Sequence, residues 1–313
     1  MGKFSGYLMV SDLDKTFFAE GTDIPPRNIE AVKYFIENGG KFTLATGRGA
    51  VAAKIIAADI PQNAPEILFN GAMLYDMAEE EVIEQHGVNT PDMVSLMHAI
   101  IEKYPDMMLD SCASGGRRND LETMRRSVSL HKTDADYSRF QQKQAMHYSF
   151  YQWLPYFGTP VTGPGYGAEL DLYALRSAHI PWFTYGYDVR NPENNYENAH
   201  RFEKEWRETN MYFYGDYFPL TPWSNDLESW IGWEFKDYEK EEGIIQMFRR
   251  DNSPVAEMRV RLFDIDPDGT YEFFSYDGEP VKTVGGAELI EQGLNVRISE
   301  PRASALLKFR KIS

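Results

Sequence analysis

At 313 residues the chain favours two domains, and 42% hydrophobic residues are enough for buried cores, which excludes wholesale disorder. A formal net charge of -16 excludes non-specific binding of nucleic acid or anionic membrane, because phosphate groups would be repelled rather than neutralised. Cys112 is the single cysteine, so no internal disulfide can form and a reducing, cytoplasmic setting is expected.

In chain order, the run Tyr7-Leu8-Met9-Val10-Ser11 reads as a buried strand that ends in charge, too short for the apolar part of a secretory signal. No later run approaches the ~20 apolar residues of a membrane span. Pro25-Pro26 opens a helix with Ile29, Val32, Phe35 and Ile36 on one face, and Gly39-Gly40 closes it. A strand at 41–46, a helix at 50–58 and a strand at 67–70 complete a β-α-β-α-β order, which argues for a parallel sheet with right-handed crossovers. Residues 79–84 are acidic and expected at the surface, followed by a helix over 91–104 with Met93, Leu96, Ile100 and Ile101 as its apolar stripe. All six tryptophans then fall between Trp153 and Trp233, among crowded tyrosine and phenylalanine. Composition leaves two readings open, rings for stacking against sugars and an aromatic core. Strand-like runs at 229–235, 243–248, 258–263, 271–276, 294–298 and 305–309, with an Asp-Pro-Asp-Gly turn at 266–269, read as an antiparallel β domain.

The first motif with chemistry is Asp12-Leu13-Asp14-Lys15-Thr16 at the end of the first strand. Aspartates at i and i+2 point to the same side, so one carboxylate can attack phosphorus while the other acts as general acid and base. A divalent cation would neutralise the phosphate and hold the first carboxylate. The second strand ends in Thr46-Gly47-Arg48, which brings a hydroxyl and backbone N–H groups to the same sheet edge, where ligands of open α/β sheets bind. With Phe69-Asn70-Gly71-Ala72, this stretch resembles the Cof-type sugar-phosphate phosphatases of the haloacid dehalogenase (HAD) superfamily over roughly residues 5–104. The resemblance implies Asp12 as nucleophile, Asp14 as acid and base, Thr46 and Gly47 at the phosphate, and Mg2+ held by Asp12 and Asp14. It also implies a later lysine and a Gly-Asp-x-x-Asn-Asp pair, for which the chain offers only the widely spaced Gly215-Asp216 and Asn225-Asp226.

The second motif follows Met107-Met108-Leu109 and runs Asp110-Ser111-Cys112-Ala113-Ser114-Gly115-Gly116-Arg117, where small residues let backbone approach a ligand. Leu130-His131-Lys132-Thr133-Asp134 looks like another strand end with a carboxylate at its tip, and Asp136 is a second candidate. In a β/α barrel the C-terminal strand ends form the site, and Asp110, Asp134, Pro160 and His179 would follow successive strands. Residues 106–313, with Gly215-Asp216-Tyr217-Phe218-Pro219-Leu220-Thr221-Pro222 and the closing β domain, resemble the C-terminal part of an α-galactosidase-type glycoside hydrolase of the melibiase clan. That resemblance implies Asp134 as acid/base, with Cys112, Gly115, Gly116 and Arg117 lining the sugar subsite and no cofactor. A retaining glycosidase needs a second carboxylate ~5 Å from the first, and no Lys-x-Asp-x-Asn that would carry the nucleophile precedes residue 110.

The two resemblances meet near residues 103–106, which implies a chimera of two hydrolases. The expected fold is α/β: a partial Rossmann-like HAD parallel sheet over 1–104, a partial β/α barrel over 105–228, and a β-sandwich-like domain over 229–313. The expected substrate is a small sugar, an α-galactoside or a sugar phosphate. Two alternatives stand beside the glycosidase reading: an Mg2+-dependent sugar-phosphate phosphatase with a rearranged metal site using Asp216, and a carbohydrate-binding protein without chemistry.

Overall fold

A computed structural model describes residues 2–18, 24–87, 90–112, 119–133, 139–161, 170–187 and 189–313. It divides the chain into two compact units, Met1–Ala99 and Ile100–Ser313.

In the first unit, β1 (Leu8–Asp12), β2 (Lys41–Ala45) and β3 (Glu66–Leu68) run parallel, in register Asp12↔Ala45 and Ala45↔Ile67. The crossovers carry α1 (Pro26–Glu37) and α2 (Ala50–Ile56). Proline supplies the first-turn dihedral of α1, Val32 and Phe35 are its buried face, and Gly39 ends it at φ +89, a left-handed position that glycine takes without strain. The core beneath is Leu13, Phe17, Phe18, Phe42, Leu44, Ala57 and Ile60. The sheet then turns antiparallel: β4 (Met73–Asp76) and β5 (Glu81–Gln85) complete the order β1-β2-β3-β4-β5, so the acidic stretch at 79–84 is in part an exposed edge strand. α3 (Thr90–Lys103) follows.

The burial of β1 departs from expectation. Its apolar run reads as buried, yet Leu8 is 58% exposed, and Tyr7, Met9 and Val10 are exposed too. The reason is position: β1 is the sheet's first strand and pairs only with β2. An apolar strand without a neighbour on its free side keeps its hydrophobic pattern and loses its cover.

The second unit begins with short parallel segments. Asp110 bridges Val128, Ser129 bridges Phe157, and β6 (Gly158–Pro160) pairs with β7 (Trp182–Thr184). Helices separate them: α4 (Leu121–Met124), α5 (Phe140–Phe150) and α6 (Leu172–Arg176). Asp120 and Asp171 cap α4 and α6 by accepting from Thr123 N and Ala174 N. α7 (Tyr196–Thr209) follows, burying Ala199, Phe202, Glu205 and Thr209 on one face at helical spacing. The close pairing of these segments has a steric consequence at Gly158, where a Cβ would lie 2.2 Å from Leu130 O. Backbone cannot yield there cheaply, so Gly158→Ala is expected to cost about 1–3 kcal/mol in urea unfolding of the purified chain.

The chain closes with β8 (Asp216–Pro219), β9 (Trp230–Asp237), β10 (Glu242–Arg249), β11 (Glu257–Val260), β12 (Thr270–Ser275), β13 (Lys282–Gly285), α8 (Gly286–Gln292), β14 (Leu294–Arg297) and β15 (Ala303–Lys311). Six of these strands form an antiparallel sheet in the order β13-β12-β15-β10-β9-β8, and β11 pairs β14. Both faces of the sheet are covered. Ile231, Trp233, Phe235, Ile244 and Phe248 pack on Tyr148, Tyr151 and Phe157, while the alternate residues Trp230, Ile245 and Met247 pack on Val260, Leu289 and Leu294. That two-sided burial answers the tryptophan question for part of the set: Trp230 and Trp233 are core.

Candidate active sites

In the first unit, the parallel register brings the ends of three neighbouring strands to one edge. Asp12 ends β1, and Thr46 follows β2 with its amide donating to Ile67 O at 2.9 Å. Asn70 N donates in turn to Thr46 O at 3.2 Å. Phe69 and Asn70 both sit at positive φ, 51 and 56, which makes the tight turn that holds Asn70 against Gly47. A Cβ on Gly47 would lie 2.8 Å from Asn70 Oδ1, so glycine permits that approach. Thr46 is buried, and its hydroxyl accepts from Arg48 N at 3.2 Å. Asp12 is exposed and accepts only from Thr16 Oγ1, at 3.2 Å on Oδ2, among the described residues.

Asp14 is differently placed. Its two oxygens take a fork from Arg48, Nε at 3.0 Å and Nη2 at 2.6 Å, and this contact raises the arginine's already high pKa. The structure therefore brings Asp12, Asp14, Thr46 and Gly47 to one edge and adds Arg48 and Asn70. Both were visible as members of Thr46-Gly47-Arg48 and Phe69-Asn70-Gly71, but nothing in the spacing said that Arg48 would occupy Asp14. Among the described residues no group of three or more His, Cys, Asp or Glu side chains is placed to hold a metal ion, and Asp14 already carries a guanidinium. In the second unit, Asp226 accepts from Ser224 Oγ and from Ser229 and Glu228 N within its own turn, first the Ser224 contact holding its pKa down at about 2.

The second constellation lies at the C-terminal ends of the parallel segments of the other unit. Cys112 is exposed, and its amide donates to Asp110 Oδ1 at 3.0 Å. The same oxygen accepts Leu130 N at 3.1 Å, so Asp110 brackets two adjacent strand ends. Gly115, Gly116, Arg117, Asp134 and Asp136 lie outside the described residues. What leads up to Asp134 is described. Lys132 is buried, with Nζ donating to Gly158 O at 3.0 Å and lying 5.1 Å from the Phe157 ring centroid. Lys143 is buried too and donates to Pro160 O and Val161 O, each at 3.0 Å. Burial first, and Lys143 second, push the Lys132 ammonium well below its ordinary range, and burial with both lysines does the same to the His147 imidazole. These buried basic groups around the strand ends were not legible, because lysines are read as surface residues until their neighbours are known.

His179 does not take the strand-end position expected for it. It precedes β7 rather than following it, and its ring is spent in the core: Nε2 meets Thr209 Oγ1 at 2.9 Å and Nδ1 meets Gln246 Nε2 at 3.0 Å. Burial, then Arg176, depress its pKa to about 3.

Residues 9–151 match the haloacid dehalogenase-like hydrolase family, a little under half of the chain. A putative phosphatase of Mycoplasma pneumoniae is 28% identical over 94 residues, 30% of this chain and 33% of that protein. Among solved structures, the α-galactosidase AgaB of glycoside hydrolase family 36 from Geobacillus stearothermophilus aligns over 98% of this chain and 51% of its own, with a TM-score of 0.59 at 14% identity. Its fold is similar to that of family 36 α-galactosidases. The galactosidase domain of an α-galactosidase-sucrose kinase aligns likewise, at TM-score 0.58 and 16% identity, over 98% and 50% of the two chains. The chain thus spans about a third of the curated relative and about half of the structural neighbours. Its N-terminal part resembles HAD phosphatases in sequence, and its fold resembles the galactosidases. The overlap of the two matches has a physical basis, since β-α-β units with parallel strands build both architectures.

Proposed function

We propose that this chain is a hydrolase-derived polypeptide of α-galactosidase type, joined to an N-terminal segment from a Cof-type HAD phosphatase, and that neither reaction centre is complete. The observation that carries this reading is the run of parallel segments from Asp110 to β7, followed in the chain by the antiparallel β9–β15 strands. In this reading the ligand is a small α-galactoside in the cytoplasm. Cys112, Gly115, Gly116 and Arg117 line its subsite, and Asp134 is the acid/base, with Asp136 as the other candidate. A retaining mechanism without a nucleophilic carboxylate stops before the glycosyl bond is exchanged, so the chain binds sugar without turning it over.

The test is an assay of the full chain with 4-nitrophenyl α-galactoside, with calorimetry against galactose beside it. Binding without release of 4-nitrophenol is the expected result. Turnover that Asp134→Asn abolishes would sink the incompleteness. A second reading, a sugar-phosphate phosphatase, is favoured by the convergence of Asp12, Thr46 and Asn70 on one edge. Hydrolysis of 4-nitrophenyl phosphate in Mg2+ buffer, lost on Asp12→Asn, would establish it; no hydrolysis is expected.

A further inference from the structure

We infer that the second unit carries a separate, non-catalytic site for an oligosaccharide, in the cleft between the end of α5 and β8. The cleft has a volume of about 700 Å³ and is lined by Tyr151, Gln152, Trp153, Asp216, Tyr217 and Phe235, among others. Topology places it away from the galactoside subsite. Residues 151–155 lead into Phe157 and β6, and so lie at the N-terminal ends of the parallel segments, whereas Cys112 and Thr133 follow their C-terminal ends.

The lining matches one chemistry. A sugar presents C–H faces and a rim of hydroxyl groups, and needs flat apolar surface beside a few hydrogen-bonding groups. Trp153 is 42% exposed, unlike the buried Trp230 and Trp233, and its ring lies against Phe150 at 5.7 Å between centroids. The Asp216 carboxylate and the Gln152 side chain are exposed beside it, and Asp216 accepts no hydrogen bond among the described residues. Behind them, Tyr151 stacks on Tyr217 with ring centroids 5.1 Å apart. The Tyr151 hydroxyl is buried and has no hydrogen-bond partner among the described residues. A buried hydroxyl is ordinarily paired, and this one is left unpaired behind the aromatic wall of the cleft. A lone surface tryptophan needs no explanation; an exposed indole, an open carboxylate and an orphaned buried hydroxyl in one cleft do.

This site is independent of the proposed galactoside subsite, and the test separates them. Maltotriose, an oligosaccharide without an α-galactosyl group, is titrated into the full chain and followed by saturation-transfer NMR and tryptophan fluorescence, with Trp153→Ala and Asp134→Ala as variants. Expected is binding that Trp153→Ala weakens by about tenfold or more and Asp134→Ala leaves unchanged. Asp216→Asn, which keeps the shape of the cleft, should weaken it less. Binding that survives Trp153→Ala and disappears with Asp134→Ala would overturn this site and leave the galactoside subsite standing. No binding by the parent chain, or a self-association that Trp153→Ala abolishes, would overturn it as well.

Discussion

Replacing Glu205 with alanine is expected to destabilise the second unit by about 3–5 kcal/mol. Arg176 and Glu205 are 2% and 4% exposed, and they meet through two parallel contacts, Nε to Oε2 and Nη2 to Oε1, each 2.8 Å. Two half-buried groups complete the network: Asp277 accepts from Arg176 Nη1, and Arg201 bridges Glu205 and Asp277, each at 2.9 Å. The network ties α6 and α7 to the turn after β12. Deleting Glu205 leaves the buried guanidinium with a single, partly solvated carboxylate, and the uncompensated charge dominates the cost. Replacing Arg176 with methionine and Glu205 with leucine together should cost far less than Glu205→Ala alone, because both desolvation penalties vanish with the pair. Chemical denaturation of the three proteins measures this. A single variant within 1 kcal/mol of the parent would mean that the pair contributes no more than a surface bridge.

The elements of the first unit were legible because their signals are local. The apolar run before Asp12, the Pro25-Pro26 start and the Gly39 end each act within a turn or two, and the strands and helices fall there. The exposure of β1 was not legible, because apolar composition does not say whether a strand has one neighbour or two. The closing domain was read from alternation and turns, but β8 and β13 escaped. β8 is a short run through Tyr217 and Phe218 ending at a proline, and its identity as a strand comes from pairing with β9. His179 was misplaced for a related reason: a histidine near Ile180-Pro181-Trp182 has the composition of a strand end, and only the tertiary contacts with Thr209 and Gln246 show it to be core.

The two candidate centres differ in what sequence could establish. The Asp12–Asp14–Thr46 set depends on strand ends in register, which a parallel β-α-β order nearly guarantees. Its state, with Asp14 engaged by Arg48, depends on one side-chain rotamer and was beyond reach. For the proposed galactoside subsite the reverse holds: Gly115, Gly116, Arg117 and Asp134 were named from motif alone and lie outside the described residues, while the strand ends that precede them are described. Two buried lysines and a neutral histidine lie beside those strand ends.

Glu234 should make the second unit lose stability as pH rises from 4.5 to about 8, and Glu234→Gln should remove that loss. The side chain projects from β9 and is fully buried, with one oxygen accepting from Phe263 N at 2.7 Å and the other unpartnered among the described residues. Burial raises its pKa from 4.5 to about 8, against the smaller opposing effects of the Phe263 amide and Lys236. The sign follows from proton counting. Between 4.5 and about 8 the folded chain keeps a proton on Glu234 that the unfolded chain has released, so its contribution is full below 4.5 and falls as pH rises through that window. The slope is on the order of 1.4 kcal/mol per pH unit, an upper bound that water penetration and local relaxation reduce. Glutamine keeps the oxygen that serves Phe263 and cannot ionise. Urea midpoints of the parent and of Glu234→Gln should therefore lie closest together near pH 5 and diverge toward pH 9, where the variant is the more stable by a few kcal/mol. The parent's buried His147, His179 and Lys132 titrate identically in both proteins, so only the difference between the two pH profiles is diagnostic. Parallel profiles from pH 5 to 9 would show that Glu234 is ionised throughout, with Lys236 as its counter-charge.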